Sequence, residues 1–572
     1  MHGLNKISLF ASTFVLLTAC ATVPQQPVDQ NYDVLIRGGN VYDGRGGPPF
    51  VADVAVREDR IAAIGDLSGA RATTEIDATN LAVSPGFINM LSWAVSSLIE
   101  DGRGMSDIKQ GVTLEVFGEG WSMGPWTDIM KAEERRRQGD IRFDIKWTTL
   151  NEYLEYLVEK GISPNVASYV GATTARIHQI GNDNRKATPA ELARMQNLVR
   201  EAMRDGALGV GSSLIYAPAN FADTNELIAL AKAAGEYGGG YISHIRSEGN
   251  RLEEGIHELI DIAQSAGVHA EIYHLKASGK PNWHKLERAF EIVERAQADG
   301  LQITANMYTY PASATGLNAS MPLWVQEGGH DAWIARLKQP EIRARVVHEM
   351  TDADADWENR YIQAGPGNIL LLGFKTDALK PLTGKTLLEV ATERGTDPAE
   401  TAIDLILEDN SRVDVSYFMM SEENVKMKVA RPWVSFGSDE EASATEGVFL
   451  KSNNHPRAFG TFARVLGKYA RDEKALPLQD AIRRMTSFPA ANIRIRDRGT
   501  LKTGYYADLV VFDPATVKDH ATFKEPHQYA TGVQHVFING EQVLRNGEHT
   551  GALPGRVVRG PGWTGWADKP LN

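Results

Sequence analysis

The 572-residue sequence contains one cysteine, no long basic run, and no long apolar run after its first twenty residues. A single cysteine excludes an intrachain disulfide, and we expect no catalytic thiolate. The formal charge of −13 mixes both signs, so the positive surface that binds phosphate backbones is missing and we expect no nucleic-acid partner. Because a membrane-spanning helix needs about 20 apolar residues, we expect no such helix beyond the N-terminus.

The first twenty residues have the pattern of a secretory signal peptide. Lys6 precedes the apolar residues 7–17, and Leu17-Thr18-Ala19-Cys20 resembles the lipobox of bacterial lipoproteins, whose cysteine is acylated. We predict a lipid anchor at Cys20, a tether over residues 21–30, and a location on the periplasmic side of the bacterial cell envelope. Membrane contact is expected only through this anchor. The alternative is ordinary signal cleavage with no role for Cys20.

Short strands separated by turn residues lie near both ends of the chain. They are Asp33–Arg37, Val51–Val56 and Arg60–Ile64 at one end, and Ala507–Phe512, Val533–Asn539 and Gln542–Leu544 at the other. The first set predicts a small antiparallel sheet, and the second set matches it.

Between these ends, apolar runs alternate with amphipathic helices, which favours parallel strands joined by helical crossovers. Eight strands are predicted: Ala82–Met90, Thr113–Phe117, Val166–Val170, Ala207–Ser213, Gly240–His244, Ala270–His274, Gln302–Tyr308 and Trp433–Ser438. They indicate an α/β protein with a (β/α)₈ TIM barrel, whose chemistry lies at the C-terminal strand ends. An open doubly wound sheet is the alternative, but its glycine-rich nucleotide turn is missing.

Local signals refine this organisation. Thr188, Pro189 and Glu191 have the types expected at the N-cap, first and third positions of a helix. Further helices are predicted over Glu254–Ala266 and Lys285–Ala298. The stretch from about 316 to 430 exceeds an ordinary βα loop, so it predicts an insertion that covers the mouth of the barrel.

Two histidines and two carboxylates follow predicted barrel strands. His244 and His274 end the fifth and sixth strands, and neighbouring strands would bring both imidazoles to one metal ion. Glu119 follows the second strand between two glycines and is a candidate third ligand. Asp439 closes the eighth strand, where a carboxylate beside a metal-activated water can take up and return a proton. The alternatives are structural, hydrogen-bonded histidines and a solvated loop glutamate.

Seven segments, in this order, make the sequence resemble the N-acyl-D-amino-acid deacylase (D-aminoacylase) family of the metal-dependent amidohydrolase superfamily. They are Pro85–Ile88, Gln110–Thr113, Asp205–Gly209, Ser243–Glu248, His455–Arg457, Gly460–Phe462 and Tyr506–Asp513. Each is weak alone, but their ordered combination is specific. The resemblance implies a barrel over residues 85–497 and a small β-sandwich built from both chain ends, residues 31–84 and 498–555.

The same resemblance implies roles for individual residues. His244, His274 and Glu119 match zinc ligands, and Asp439 matches the catalytic aspartate. Residues that would engage the substrate carboxylate or the reacting carbonyl are Tyr216, Lys276, Tyr308 and Arg457. One insertion makes Tyr310 a competitor of Tyr308, and a structural role is the alternative for Arg457.

One motif of the superfamily is missing. Where members usually carry His-x-His after the first strand, this sequence has Leu91 and Trp93, and neither side chain can bind zinc. The loss of two imidazoles predicts a single zinc ion with three protein ligands and an open position for water, with another divalent ion as the alternative. Trp93 predicts an apolar wall that favours a fatty or aromatic acyl group.

The predicted activity is zinc-dependent hydrolysis of the amide in an N-acyl amino acid, with the D-form implied by the resemblance. Metal-activated water would attack, Asp439 would serve as general base and acid, and Lys276 or Tyr308 would stabilise the oxyanion. The alternatives are hydrolysis of another linear or cyclic amide at this site, and a metal-free, non-catalytic envelope lipoprotein. The expected partner is a small-molecule amide.

Overall fold

The computed structural model describes residues 31–354 and 357–568. The predicted signal peptide, the lipid anchor at Cys20 and the tether of residues 21–30 lie outside the described residues. Within the described ranges, no helix is long and apolar enough to cross a membrane.

The strands of the described chain are numbered in sequence order. They are β1 Asn31–Val41, β2 Phe50–Arg57, β3 Arg60–Gly65, β4 Arg71–Asp77, β5 Ala82–Pro85, β6 Phe87–Asn89, β7 Val112–Phe117, β8 Asn165–Ser168, β9 Val170–Gly171, β10 Gly209–Ser213, β11 Gly240–His244, β12 Ala270–Ile272, β13 Ile303–Met307, β14 Ser313–Gly316, β15 Ile369–Gly373, β16 Asp414–Tyr417, β17 Val434–Phe436, β18 Leu509–Phe512, β19 Val533–Ile538, β20 Glu541–Arg545 and β21 Glu548–His549.

The α-helices are numbered in the same way, and a π-helix over Val465–Asp472 follows α16. They are α1 Ser97–Glu100, α2 Met105–Ile108, α3 Asp128–Arg137, α4 Leu150–Lys160, α5 Ala172–Ile180, α6 Pro189–Arg204, α7 Thr224–Gly235, α8 Leu252–Ala266, α9 Lys285–Ala298, α10 His330–Leu337, α11 Pro340–Thr351, α12 Arg360–Ala364, α13 Leu387–Arg394, α14 Pro398–Asp409, α15 Glu422–Val429, α16 Arg457–Arg464, α17 Leu478–Met485 and α18 Ser487–Asn492.

Strands from both ends of the chain share one nine-stranded sheet. Its order is β21-β20-β19-β18-β5-β1-β2-β3, and β4 also pairs with β1. The two predicted sets of strands are antiparallel, as expected, since β1 pairs with β2, β2 with β3, β18 with β19 and β19 with β20. The sheet as a whole is mixed, because β1 also pairs in parallel with β4 and β5, which lie outside those sets. Strand β1 has eleven residues, so it is long enough to pair with β2 along one edge and with β4 and then β5 along the other.

All eight predicted parallel strands are present, and helices connect most of them. Hydrogen bonding divides them into two sheets, β6-β7-β8 and β9-β10-β11-β12-β13-β17, so the ladder is not one closed ring. The third predicted strand is interrupted at Tyr169, whose N–H donates to the carbonyl of Phe117 at 2.9 Å. At the opposite junction, the Asp439 N–H donates to the Leu91 carbonyl at 2.8 Å. The α/β architecture is confirmed, but the hydrogen-bonded parallel strands do not form one closed ring.

The first predicted parallel strand is divided at Gly86. The preceding β5 pairs with β18 in the terminal sheet, whereas β6 pairs with β7 among the parallel strands. A Cβ atom at Gly86 would lie 2.1 Å from the Thr113 hydroxyl oxygen, so only glycine allows this close approach. The segment predicted as one strand therefore links the terminal sheet to the parallel strands.

The helix signals of the sequence correspond to observed caps and boundaries. The Thr188 hydroxyl accepts from the Glu191 N–H, and the Glu191 carboxylate accepts from the Thr188 N–H, which forms a capping box at α6. Two other predicted helices are α8, which begins two residues earlier than expected, and α9, whose observed bounds match the prediction. Their buried faces cover the parallel strands.

The long stretch before β17 has its own sheet and apolar core. The strands β14, β16 and β15 form an antiparallel sheet in that order, and helices α10 to α15 accompany them. Tyr308 and Tyr310, at the end of β13, belong to this second hydrophobic cluster. The inserted segment therefore packs directly against a C-terminal strand end, where functional residues were expected.

A buried polar network lies next to Asp439. The Asn89 amide donates to Glu115 Oε2 at 2.9 Å and to Ser438 Oγ at 2.8 Å, and its carbonyl accepts from the Ser438 N–H. Burial raises the pKa of Glu115 to about 7. Burial also raises the pKa of neighbouring Asp107 well above its usual range, and the charge of Glu115 adds to this. These carboxyl groups therefore favour their protonated forms inside the fold.

Glu115→Gln should flatten the dependence of stability on pH. Folded Glu115 binds its proton more tightly than unfolded Glu115, so its contribution is present below the unfolded pKa and is lost as pH rises towards about 7. The neutral amide of glutamine removes this loss in the free energy of unfolding, which is about 3 kcal/mol at most for a pKa shift of this size. Urea unfolding at pH 5 and pH 8 measures the effect, with the exposed Glu541→Gln as control. Equal pH dependence in wild type and Glu115→Gln would contradict it.

Candidate metal centre and catalytic site

Glu119, His244 and His274 meet at the C-terminal ends of three parallel strands. Glu119 follows β7, His244 is the last residue of β11, and His274 lies two residues after β12. Glu119 Oε1 lies 2.9 Å from His244 Nδ1 and 2.8 Å from His274 Nε2. The three side chains are buried, and their ligand atoms lie within 4.8 Å of one another. Within residues 31–354 and 357–568, this is the one such group of three His, Cys, Asp or Glu side chains.

The chemistry of this group suits a metal ion. One carboxylate oxygen and one nitrogen from each imidazole converge, which is a typical donor set for catalytic zinc. Burial opposes ionisation of Glu119, but the charges and hydrogen bonds of His274 and His244 outweigh it and lower the pKa of this carboxyl. The carboxylate is therefore held ionised, as a metal ligand must be, and the geometry of this buried Glu/His/His group is that of a possible metal site.

Two residues of the site have an unusual backbone. His274 has φ 34° and Asp439 has φ 55°, in the left-handed region that non-glycine residues seldom adopt. The side-chain oxygen Oδ1 of Asn306 accepts from the His274 N–H at 2.8 Å, and the side-chain amide of Asn306 donates to Glu271 Oε1 at 2.8 Å. Buried partners thus hold the His274 backbone in this conformation.

Glu248 is a site residue that sequence reasoning missed. Its carboxylate lies 3.4 Å from His244 Nε2 and 3.1 Å from His274 Nδ1, the ring nitrogens that face away from Glu119. Lys276 and Arg360 form ion pairs with the same carboxylate. A carboxylate behind metal-binding histidines can orient their rings, and Glu248 lies closer to His274 Nδ1 than to His244 Nε2. The available signal was its position in the segment Ser243–Glu248, which already contained a candidate ligand.

Lys276 and Tyr308 lie beside the histidines. Lys276 Nζ lies 2.8 Å from His274 Nδ1 and 5.6 Å from the centre of the Tyr308 ring, and burial lowers its pKa. The ring centres of Tyr308 and His274 are 6.3 Å apart. By contrast, the Tyr310 hydroxyl lies 3.4 Å from Asp519 Oδ2. Of the two competing tyrosines, the structure brings Tyr308 to the histidines.

Tyr216 lies on another side of the centre. Its ring centre is 5.3 Å from that of His244, and its hydroxyl donates to Thr315 Oγ1 at 3.0 Å. Thr315 belongs to β14, so the inserted segment orients this tyrosine. Burial raises the pKa of Tyr216 to about 12, which keeps its hydroxyl protonated.

Asp439 and Arg457 form a buried ion pair. Arg457 Nη1 lies 2.7 Å from Asp439 Oδ2, and the guanidinium lies 4.4 Å from the centre of the Tyr308 ring. Burial raises the pKa of Asp439, although the Arg457 charge opposes the shift. The arginine predicted to contact a substrate carboxylate therefore also has a protein carboxylate as partner.

Comparison with known proteins identifies the family. A family model described as "Amidohydrolase family" matches residues 127–544. The chain is 33% identical over 537 residues to D-aminoacylase of Alcaligenes xylosoxydans xylosoxydans, and the match covers 93% of this chain and 99% of that protein. This chain belongs to the D-aminoacylase family of amidohydrolases. It is therefore a metal-dependent amidohydrolase, as the sequence predicted.

Solved structures of D-aminoacylase-family proteins agree with this assignment. One structure of D-aminoacylase has a TM-score of 0.76 at 32% identity, covering 92% of this chain and 100% of that chain; it is described as having a binuclear metal centre with one-metal activation and second-metal attenuation. N-acyl-D-glutamate deacylase of Bordetella bronchiseptica, complexed with zinc and a phosphonate mimic of the tetrahedral intermediate, has a TM-score of 0.76 at 29% identity, covering 93% and 100%.

This D-aminoacylase-family member departs from the superfamily motif at Leu91 and Trp93. Leu91 is buried in an apolar cluster. The Trp93 indole N–H donates to Glu119 Oε2 at 3.0 Å. The expectation of a purely apolar wall is therefore incomplete, because this ring presents its polar N–H to the candidate ligand. Sequence alone does not reveal which edge of an indole faces a neighbour.

Glu248→Gln should weaken zinc binding by about 10- to 100-fold, the usual effect of removing a partner that orients metal-binding histidines. The neutral amide no longer balances the ring N–H groups and the charges of Lys276 and Arg360. Chelator competition measures zinc affinity, and circular dichroism checks folding. Glu258→Gln is a matched control, because Glu258 pairs with Arg246 instead of with the histidines. Unchanged affinity in Glu248→Gln would contradict the assignment.

Proposed function

We propose that this protein hydrolyses the amide bond of an N-acyl-D-amino acid, using one zinc ion held by Glu119, His244 and His274. The main support is the position of Glu119 Oε1 within 2.9 Å of one ring nitrogen of each histidine. The substrate class comes from D-aminoacylase, which is 33% identical over 93% of this chain. The buried carboxylate and ion pairs around this group supply the acid–base chemistry of amide hydrolysis.

A zinc ion at these ligands would act as a Lewis acid and lower the pKa of water towards about 7. The Asp439 carboxylate takes a proton from the attacking water and returns it to the departing nitrogen. The carbon–nitrogen bond breaks, and the products are a free carboxylate and the amine of the amino acid. The Arg457 ion pair keeps Asp439 oriented between these two proton transfers.

Tyr308 is the better candidate of the two proposed oxyanion donors. Lys276 Nζ already contacts Glu248 and His274. The Tyr308 hydroxyl is buried, and it has no hydrogen-bond partner among the described residues. An unpaired buried hydroxyl costs about 1–3 kcal/mol, which a developing oxyanion would recover. A donor already in place for that charge favours the transition state.

Tyr216 and Arg457 are the proposed contacts for the substrate carboxylate. Tyr216 adjoins His244 on the side of the inserted segment. Arg457 pairs with Asp439 through Nη1, and its buried Nε makes no hydrogen bond and lies 3.6 Å from Glu440 Oε1. A guanidinium has five N–H donors, so one arginine can contact both a protein and a substrate carboxylate.

The zinc-loaded protein should hydrolyse N-acyl-D-amino acids faster than their L-forms and lose activity on chelation. Asp439→Asn should lower kcat by about 10²- to 10⁴-fold, because the amide cannot transfer the proton. Asparagine tolerates the positive φ of this position. Amine release from both enantiomers, before and after zinc is restored, measures these effects. Activity that survives complete metal removal would contradict the proposal.

We also propose the domain organisation and location predicted from the sequence. Residues 85–497 would form the (β/α)₈ barrel domain with the insertion at about 316–430, and residues 31–84 and 498–555 a β-sandwich. Support comes from the shared terminal sheet and from the strand order of the parallel sheets. The lipid anchor at Cys20 would hold this body on the periplasmic side of the bacterial envelope.

Cys20→Ala should move the protein from the membrane fraction to the soluble fraction, because acylation needs the thiol. Expression in a bacterial host with a radiolabelled fatty acid, followed by fractionation, measures both label and location. Wild type should carry the label, and the variant should not. Ala19→Gly retains the thiol and serves as the control. A labelled, membrane-bound Cys20→Ala protein would contradict the anchor.

A further inference from the structure

The two oxygens of Glu119 have different partners. Oε1 faces His244 Nδ1 and His274 Nε2, whereas Oε2 accepts the indole N–H of Trp93 at 3.0 Å. We propose that Trp93 is a positioning residue that directs Glu119 Oε1 to a single zinc ion and closes Oε2 to a second one. This inference rests on the proposed function and assigns a role to a residue outside the ligand set.

The backbone around Trp93 supports this role. The Trp93 N–H donates to the Glu440 carbonyl at 2.9 Å, and the neighbouring Ser92 N–H donates to the Val116 carbonyl at 2.9 Å. These bonds join the segment after β6 to the segment after β17 and to β7. The backbone that carries the indole is therefore held by two neighbouring segments, and the indole N–H reaches the carboxylate that follows β7.

The chemistry of the indole explains why a second ion is excluded. Its nitrogen is a donor only and has no lone pair for a metal. A cation at Glu119 Oε2 would have to displace this N–H and approach its positive end. The other nearby carboxylates already have cationic partners: Asp439 pairs with Arg457, and Glu248 pairs with Lys276 and Arg360. A second ion would therefore meet the hydrogen-bonded Oε2 of Glu119 and the carboxylate of Asp439, whose charge Arg457 already balances.

Leu91 closes the same region without adding a ligand. Its side chain is buried among apolar residues, and its carbonyl accepts from the Asp439 N–H. In the described part of the chain, Glu119, His244 and His274 are the one candidate metal group. In place of the two imidazoles, this region therefore has the apolar side chain of Leu91 and the indole of Trp93, which donates one hydrogen bond to the retained ligand Glu119.

Zinc stoichiometry and affinity test this role without any activity assay. Wild type, dialysed against graded zinc, should contain one zinc per chain by elemental analysis. Trp93→Phe keeps the ring but removes the N–H, so it should bind zinc about 10- to 100-fold more weakly in chelator competition. Leu91→His combined with Trp93→His restores two imidazoles and should raise the zinc content to two per chain.

Trp433→Phe is a matched control, since the Trp433 indole also donates to a glutamate, Glu294 Oε1, at 3.1 Å. It should retain wild-type zinc affinity, and thermal unfolding compares the folding of both phenylalanine variants. Two zinc ions in wild type, or unchanged affinity in folded Trp93→Phe, would overturn the inference while leaving zinc binding intact. A wild type that binds no zinc would instead contradict the proposed function itself, so the two failures are distinguishable.

Discussion

The buried carboxylate of Glu119 needs partners around both of its oxygens, and the ends of the parallel strands supply them: two imidazole nitrogens face Oε1, where a metal ion would bind, and the Trp93 N–H faces Oε2. An ionised carboxylate away from water is costly unless it is paired and hydrogen-bonded. His244 and His274 contact one oxygen, and Trp93 contacts the other. His244 ends β11, His274 follows β12 and Trp93 follows β6, so the arrangement of these strands brings all three partners to the buried carboxylate. The geometry of the site therefore depends on how the fold surrounds the side chain of Glu119.

The carboxylates that surround the histidines have buried cationic partners. Glu248 has Lys276 and Arg360 as partners, and Asp439 has Arg457. Removal of one partner from a buried ion pair leaves an uncompensated charge, so each of these ion pairs depends on both of its members. A network with fixed dipoles is what amide hydrolysis requires, because charge that develops in the transition state meets groups already oriented for it.

This chain combines the D-aminoacylase-family architecture with an altered metal-binding strand. A structure of a D-aminoacylase is described as having a binuclear metal centre, whereas the sequence resemblance implies that Leu91 and Trp93 stand in this chain where the usual His-x-His pair would be. The substitutions do not leave Glu119 without a partner, since the Trp93 N–H takes one of its oxygens. The remaining Glu/His/His group keeps the donor set of a catalytic site with three protein ligands.

Local patterns in the sequence determined much of this protein. Apolar runs specified the eight parallel strands, a capping box specified the start of α6, and strand-end positions singled out His244 and His274. These features depend on residues close together in the chain. Only the tertiary structure decided that Arg360, 112 positions beyond Glu248, would pair with it, that Tyr169 would interrupt a strand, and that the Trp93 N–H would face Glu119. Such contacts join distant segments, and their geometry follows from side-chain directions that packing sets and periodicity does not encode.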